Sequence, residues 1–385
     1  MQNFVAIESL RAWMAWWVVV GHALRLSGIG NPDYDGVTLP GPLVKILGAG
    51  DTAVSVFIIV SGFVITHLMI NKRESYKAYI TRRFFRIFPI YAFCLLLGII
   101  TTDLFVTAYI DLPYGIFADK RADRLLEQSE HFWTHLGLHL TLLHGMVPDE
   151  ILPYSGTTFL SPAWSLSLEW QFYLIAPALI ALLTGRPGAI LATSLVILLV
   201  QVAAEYGNFG TWQYLAFLPL ALNYFFLGIM SRAILEYKTA TKAPIEMLFV
   251  LGIAFIAAGW KEAVIWSIFY LISLSEIGRV QITYAPVRVF ARIFALNPIA
   301  ATIGKWSYST YLVHIPVFVI FVGGYASIFG VEATSQTVVL ILLALSFPTI
   351  LFISWILYNW IEVPFISLGR RFIAKPKPTN SALSA

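Results

Sequence analysis

The chain has 385 residues, of which 58% are hydrophobic and 12% charged, with a mean hydropathy of +0.77. Soluble domains carry about 25% charged residues, so this composition excludes a soluble enzyme, a disordered chain and a collagen-like fibre, and leaves a polytopic membrane protein. The formal net charge of +4, from 25 Lys and Arg against 21 Asp and Glu, is no nucleic-acid signature, and no nucleic-acid partner is expected.

A bilayer core takes about 20 apolar residues per helix. In chain order, ten segments approach that length: 5–26, 48–70, 87–109, 164–183, 189–206, 213–231, 245–260, 262–277, 298–324 and 336–361. The expected fold class is therefore an all-α polytopic membrane protein with about ten transmembrane helices. An eleventh candidate, 131–147, is interrupted by His131, His135, His139 and His144. If it does not span and the N-terminus is cytoplasmic, the basic clusters at 72–86, 232–242, 279–292 and 370–377 fall inside. Only Lys45, Lys120, Arg121, Arg124 and Lys261 then lie on outer loops. The positive-inside rule thus places both termini in the cytoplasm and makes 131–147 an interfacial or re-entrant helix.

The outer loop, 110–163, is the one segment large enough for extramembrane structure. Residues 1–370 read as a single membrane domain with no second domain and no internal repeat. The polar tail 371–385, with Pro376 and Pro378, is expected to be disordered. The first apolar stretch has no basic lead and carries Arg11 and His22, so it reads as a span rather than a cleavable signal. The lone Cys94 lies in an apolar run, allows no intrachain disulfide and reads as a small core hydrophobe. No metal is expected, because His135, His139 and His144 have rough helical spacing but no carboxylate or thiolate to complete a site.

Ionisable groups inside a span are costly and mark function or pairing. The first span carries Glu8, Arg11 and His22. Eleven residues at about 100° each come close to three full turns, so Arg11 and His22 share a face and stand roughly 16 Å apart along the axis. His22 lies toward the outer leaflet and Arg11 toward the cytoplasm. The fourth span opens with Trp164, Ser165, Leu166, Ser167, Leu168 and Glu169, followed by Gln171, Phe172 and Tyr173. Glu169 is expected near the depth of His22, where a carboxylate would orient an imidazole and raise its basicity. In the ninth span, Ser307, Tyr308, Tyr311 and His314 form a polar stripe, as substrate contacts or as interhelix hydrogen bonds. Asn223 reads as a helix–helix contact, and Glu362 as a cap or ion-pair partner near the cytoplasmic face.

The densest charge cluster is Arg82, Arg83 and Arg86 at the cytoplasmic entrance to the third span. Arg83 and Arg86, three apart, lie on one face, and paired guanidinium groups suit phosphate oxygens. The alternative is topogenic charge in contact with lipid phosphates. Together these residues suit an enzyme that takes a phosphorylated donor from one side of the membrane and an acceptor from the other.

Five segments, in order, resemble the acyltransferase 3 family of integral-membrane acyltransferases, which includes O-antigen, exopolysaccharide and nodulation-factor acetylases. They are the Arg11–His22 opening, Ser61-Gly62-Phe63, the Arg83-x-x-Arg86 element, the Trp164…Glu169…Tyr173 stretch and the Ser307-Tyr308…Tyr311…His314 stretch. The resemblance runs from about Ile7 to Glu362. Two acids frequent in the family are replaced here, by Ser55 and Trp170, and the appended extracytoplasmic esterase-like domain of some relatives does not fit in this length.

The resemblance implies transfer of an acyl group, commonly acetyl, from acyl-CoA to a hydroxyl of a cell-envelope or exported glycan or its lipid-linked precursor, in a bacterial inner membrane. Acyl-CoA would be the donor co-substrate, with no resident cofactor. Arg83 and Arg86, with Arg82, would hold donor phosphates. His22 would act as general base, with Glu169 as its carboxylate partner, and Arg11 would stabilise the oxyanion or hold the donor's pantetheine or phosphate end. Ser165, Tyr173, Tyr308, Tyr311 and His314 are substrate-binding or structural. Direct transfer and a covalent acyl-histidine relay both fit the residues. The competing readings are a secondary transporter of a glycan precursor or small metabolite, and an inert partner in an export machine.

Overall fold

The computed structural model describes residues 4–72, 74–237 and 243–373. The described residues are helical, with no strands among them. Seven helical stretches are long and apolar enough to cross a bilayer: Gly41–Asn71, Tyr76–Ile100, Ser161–Leu183, Pro187–Glu205, Ala285–Lys305, Ser307–Phe329 and Gln336–Ile373. Leu218–Ile234 and Ile245–Ala257 are apolar but shorter. The expected tail begins inside the last helix, Val363–Ile373, which includes Arg370 and Arg371. The rest of the tail lies outside the described residues, as do Arg73, Lys238 and Lys242.

The first helix, α1 (Val5–Ser27), is wrapped by protein rather than lipid. It packs against α2 (Gly50–Asn71), Trp260–Glu276, Pro298–Lys305 and Ser307–Phe318. Its Leu10, Val19 and Leu26 have no exposed surface. This position explains how a largely apolar helix tolerates Glu8, Arg11, His22 and Arg25, since polar groups in a membrane persist where they face other helices. Its first backbone amides, of Val5 and Ala6, donate to the Glu276 carboxylate at 2.9 and 3.1 Å. A carboxylate there satisfies donors that the helix itself leaves open and complements the helix dipole.

Lipid offers no strong drive for apolar faces to associate, so close backbone approach between small residues carries much of the packing. Here α2 crosses Leu218–Ile234 through Gly62 and Gly228. A Cβ on Gly62 would collide with the Phe225 carbonyl, and one on Gly228 with backbone atoms of Ile59 and Phe63. The Ser-Gly-Phe segment therefore has a packing reason for its glycine.

The third helix, α3 (Tyr76–Ile100), starts eleven residues before the expected span. The three arginines that interrupt the apolar run are helical, and two of them, Arg82 and Arg86, are accommodated by acids. Of the expected ninth span, Pro298–Lys305 and Ser307–Phe318 are separate helices that meet at Trp306. In the 110–163 loop, α4 (Ala118–Glu130) is followed by α5 (Phe132–Leu140). With nine residues, α5 is too short to cross a bilayer.

The 110–163 loop has a fixed, strained conformation. Phe117, Leu142, Tyr154 and Phe159 all have positive φ, of 59–66°, which costs on the order of 1 kcal/mol at each non-glycine position. Buried bonds hold it there. His139 Nε2 lies 3.1 Å from the Ser155 carbonyl and so must donate to it, which leaves Nδ1 to accept from the Tyr91 hydroxyl at 2.8 Å. His144 Nε2 donates to the Ala163 carbonyl at 2.9 Å, and the His139 and His144 rings stack at 4.0 Å with planes parallel to 1°. These histidines hold the loop, and both nitrogens of His139 are already used.

Candidate functional site

The bundle has a loop end, where 110–163 lies, and a basic end, which carries Arg82, Arg232 and Arg279. The helix α6 (Trp164–Leu183) runs from the loop end toward the basic end, and α7 (Ser307–Phe318) runs the opposite way. They are level where the Ser165 hydroxyl donates to the Tyr311 hydroxyl at 2.9 Å, and Tyr311 in turn donates to the Pro162 carbonyl at 3.2 Å. Tyr308 donates to the Ile87 carbonyl at 2.7 Å. Ser165, Tyr308 and Tyr311 thus tie α7 to its neighbours, on the interhelix side of the two expected roles.

Beyond Tyr311, toward the loop end, His314 meets α1. The His22 and His314 rings have centroids 5.1 Å apart with planes at 49°. His314 is completely buried, and neither of its ring nitrogens has a hydrogen-bond partner among the described residues. A buried polar group without a partner costs about 1–3 kcal/mol, so two on one ring single His314 out among the buried histidines.

On the other side of the Ser165–Tyr311 level, Glu169 accepts from the Ser61 hydroxyl at 3.1 Å and, more closely, from the Tyr173 hydroxyl. The Arg83 guanidinium lies 5.7 Å from the Tyr173 ring centre and 5.9 Å from that of Tyr79. Arg83 has no acidic partner within 4 Å among the described residues, and its Nε is shielded and unpartnered. The Tyr79 hydroxyl is likewise buried without a partner.

The expected pairing of His22 with Glu169 is not formed. Glu169 is four residues from Ser165 in one direction and His314 three from Tyr311 in the other. At 1.5 Å per residue the two groups stand about 10 Å apart along the bundle. The ring beside His22 is His314, and Glu169 is held by Ser61 and Tyr173.

The arginine triplet also divides. Arg82 pairs with Glu74, and Arg86 pairs at 3.4 Å with Glu362, a carboxylate only 1% exposed. Glu362 also accepts from the Ser309 hydroxyl at 3.5 Å. Arg83 alone of the three has no acid, so the forked pair expected of Arg83 and Arg86 is not assembled. Arg11 pairs with Glu8 one turn away at 3.4 Å and lies with Glu362 at the basic end, far from His22. Asn223 donates to the Ala257 carbonyl at 2.8 Å, the helix–helix contact expected of it. Cys94 is fully buried in the core.

Sequence reasoning missed Ser61 and Tyr79 as parts of this inner cluster. Tyr79 is four residues before Arg83 on one helix, a spacing that puts both on the same face. Ser61 had no such local signal, because its partner lies 108 residues away.

Comparison with known proteins gives a consistent picture. The family model described as an acyltransferase domain matches residues 4–359. The O-acetyltransferase OatA of Staphylococcus aureus is 25% identical over 361 residues, which covers 86% of this chain and 55% of the relative. The acyltransferase MdmB of Streptomyces mycarofaciens is 26% identical over 299 residues, covering 71% of this chain and 70% of the relative. The chain thus spans about half the length of the staphylococcal relative. No solved structure matches the chain.

Proposed function

Since the chain belongs to the acyltransferase 3 family of integral-membrane acyltransferases, we propose that it moves an acetyl group from acyl-CoA on the cytoplasmic side to a hydroxyl of a cell-envelope or exported glycan, or its lipid-linked precursor. Family membership sets aside the transporter alternative. We read the fold as ten spans in one domain with both termini cytoplasmic, so that the basic end faces the donor and the loop end faces the outside. A bacterial inner membrane is the setting in which those two pools lie on opposite sides.

The observation that carries this reading is the split of the site into two levels. At the basic end, Arg83, with no acidic partner, beside Tyr79 and the Glu169–Tyr173–Ser61 cluster, offers a cation and aromatic faces to a phosphorylated nucleotide donor. Arg86 and Arg82 shape that entrance through their own acids, and Arg11 stands at the same end. At the loop end, His22 meets His314, whose two ring nitrogens have no partner among the described residues. An extended donor arm running between the levels brings its thioester to the histidines.

There, one nitrogen of His22 takes the proton of the acceptor hydroxyl as its oxygen attacks the thioester carbonyl. A neutral imidazole always keeps one N–H, and that of His314 donates to the developing oxyanion. The C–S bond then breaks, and the proton on His22 passes to the departing sulfur as free thiol. Mass spectrometry of envelope glycans from cells with and without the gene tests the reading. Acetyl esters lost on deletion and not restored by His22→Ala are expected; full acetylation in the His22→Ala strain would overturn it.

A further inference from the structure

The outer helix α4 is amphipathic in an unusual sense. Its Asp119, Asp123 and Glu130 are exposed, while Arg121 and Arg124 turn toward the protein. Arg121 lies over the Tyr109 ring at 4.4 Å and Arg124 over the Phe105 ring at 4.7 Å. Arg124 donates to the Ser161 hydroxyl at 2.6 Å and the Thr157 carbonyl at 3.3 Å, while its Nε is shielded and unpartnered. Arg121 donates to the Ile116 carbonyl. The third cation, Arg25, is three residues beyond His22 on α1, hence on the same face, and donates to the Gly48 carbonyl at 3.2 Å. None of the three has an acid within 4 Å among the described residues.

Ile116 joins two of them, since its backbone N–H donates to the Arg25 carbonyl at 3.3 Å and its own carbonyl accepts from Arg121, while Arg121 and Arg124, three apart, share a face of α4. Burial and the neighbouring Arg121 push the Arg124 guanidinium down to about 10. Gathering cations behind a loop with no acid among them is unfavourable. Carbonyl and hydroxyl partners satisfy their hydrogens but leave their charge. Beneath Arg124, a small cavity lined also by Thr101, Thr102, Gln128 and Pro316 reaches α7 two residues from His314.

We propose that Arg25, Arg121 and Arg124 form an acceptor subsite for an anionic group, a carboxylate or a phosphate ester, carried by the glycan close to its accepting hydroxyl. Charge-assisted bonds to that group hold the hydroxyl at His22, and the aromatic faces of Tyr109 and Phe105 keep the guanidinium planes in position. The proposal rests on His22 as the transfer end of the site and narrows the acceptor to acidic glycans.

Equilibrium binding to the purified full-length chain, at constant ionic strength, tests it apart from turnover. The probes are digalacturonate against digalactose for the carboxylate, and glucose 6-phosphate against glucose for the phosphate ester. At least one anionic probe is expected to bind tenfold or more tightly than its neutral counterpart, and which one identifies the group. Arg124→Gln should remove that preference and Arg124→Lys restore part of it, with acetyl-CoA binding unchanged in both. Should Arg124→Gln fail to fold, Arg25→Gln, which gives up one carbonyl bond, is expected to lose the preference as well. Equal binding of anionic and neutral probes, or an undiminished preference in the folded variants, would overturn the proposal. Anion preference without any acetyl-CoA-dependent thiol release would instead contradict the donor reading and leave this subsite standing.

Discussion

His22 and His314, 292 positions apart in the chain, meet ring to ring at 5.1 Å between α1 and α7. One is partly exposed, the other completely buried with two unpartnered nitrogens. The two rings are unequal, which suits the separate roles proposed for them. Removing a general base typically costs 10²–10⁴ in rate, and removing an oxyanion donor about 10²–10³ in kcat. His22→Ala is therefore expected to lower acetyl transfer by at least 10²-fold with acetyl-CoA affinity unchanged, and His314→Phe to lower kcat without raising KM for the donor. Steady-state kinetics on both variants check this; a KM effect alone for His314→Phe would make it a donor contact.

The arginines of α3 should separate in experiment. Arg83→Ala removes a cation with no acidic partner and is expected to weaken acetyl-CoA binding about tenfold or more, as for loss of one charge-assisted hydrogen bond. Arg86→Ala strips the partner from buried Glu362, and breaking such a pair costs about 3–5 kcal/mol. It should lower the thermal midpoint, and Arg86→Met combined with Glu362→Gln should recover much of the loss. Calorimetric donor titration and thermal melts distinguish the two. Equal donor affinity in wild type and Arg83→Ala would contradict the phosphate role.

The loop histidines predict a pH dependence. Burial pushes His135 and His144 down to about 4, and burial together with the adjacent His144 holds His139 well below its ordinary range. Between pH 6.5 and 4 the unfolded loop binds more protons than the folded one. The stability from keeping these rings neutral is thus fully present above about 6.5 and lost as pH falls toward 4, on the order of 3 kcal/mol for His144. Melts of the purified protein from pH 7.5 to 4.5 should show a falling midpoint. His144→Phe, which cannot be protonated, should flatten the slope; an identical slope in that variant would contradict the assignment.

Ser165 and Tyr311 are expected to behave as structural residues. Tyr311→Phe removes two neutral hydrogen bonds, its own to the Pro162 carbonyl and the one it accepts from Ser165, each worth about 1 kcal/mol, and should lower stability by about 2 kcal/mol while leaving donor affinity within twofold. A large rise in KM for the donor, with an unchanged melting midpoint, would make Tyr311 a substrate contact instead.

Much of this architecture was legible in the sequence. The run Trp164–Leu183 is helical at the residues its hydropathy predicts, because an uninterrupted apolar stretch has one stable form in lipid. The start of α3 was not legible in hydropathy, since Arg82, Arg83 and Arg86 cut the apolar run short at residue 87, although their spacing already put Arg83 and Arg86 on one helical face; Glu74 and Glu362 receive two of the three. Within the site, helical spacing found His22 and Arg11 on one face but gave no depth for residues on other helices. Glu169 was therefore matched to His22, when the antiparallel course of α6 and α7 sets it about two turns away and the imidazole beside His22 comes from His314. Contacts between helices far apart in sequence decide such pairings, and hydropathy carries no record of them.

The most direct measurement is stoichiometry in proteoliposomes holding the purified chain, with acetyl-CoA supplied outside and an acidic glycan acceptor sealed inside. Free thiol outside should rise one for one with acetyl ester inside, and both should vanish in His22→Ala while acetyl-CoA still binds. Thiol release independent of the acceptor, or ester formation unchanged by His22→Ala, would contradict transfer at the His22–His314 level.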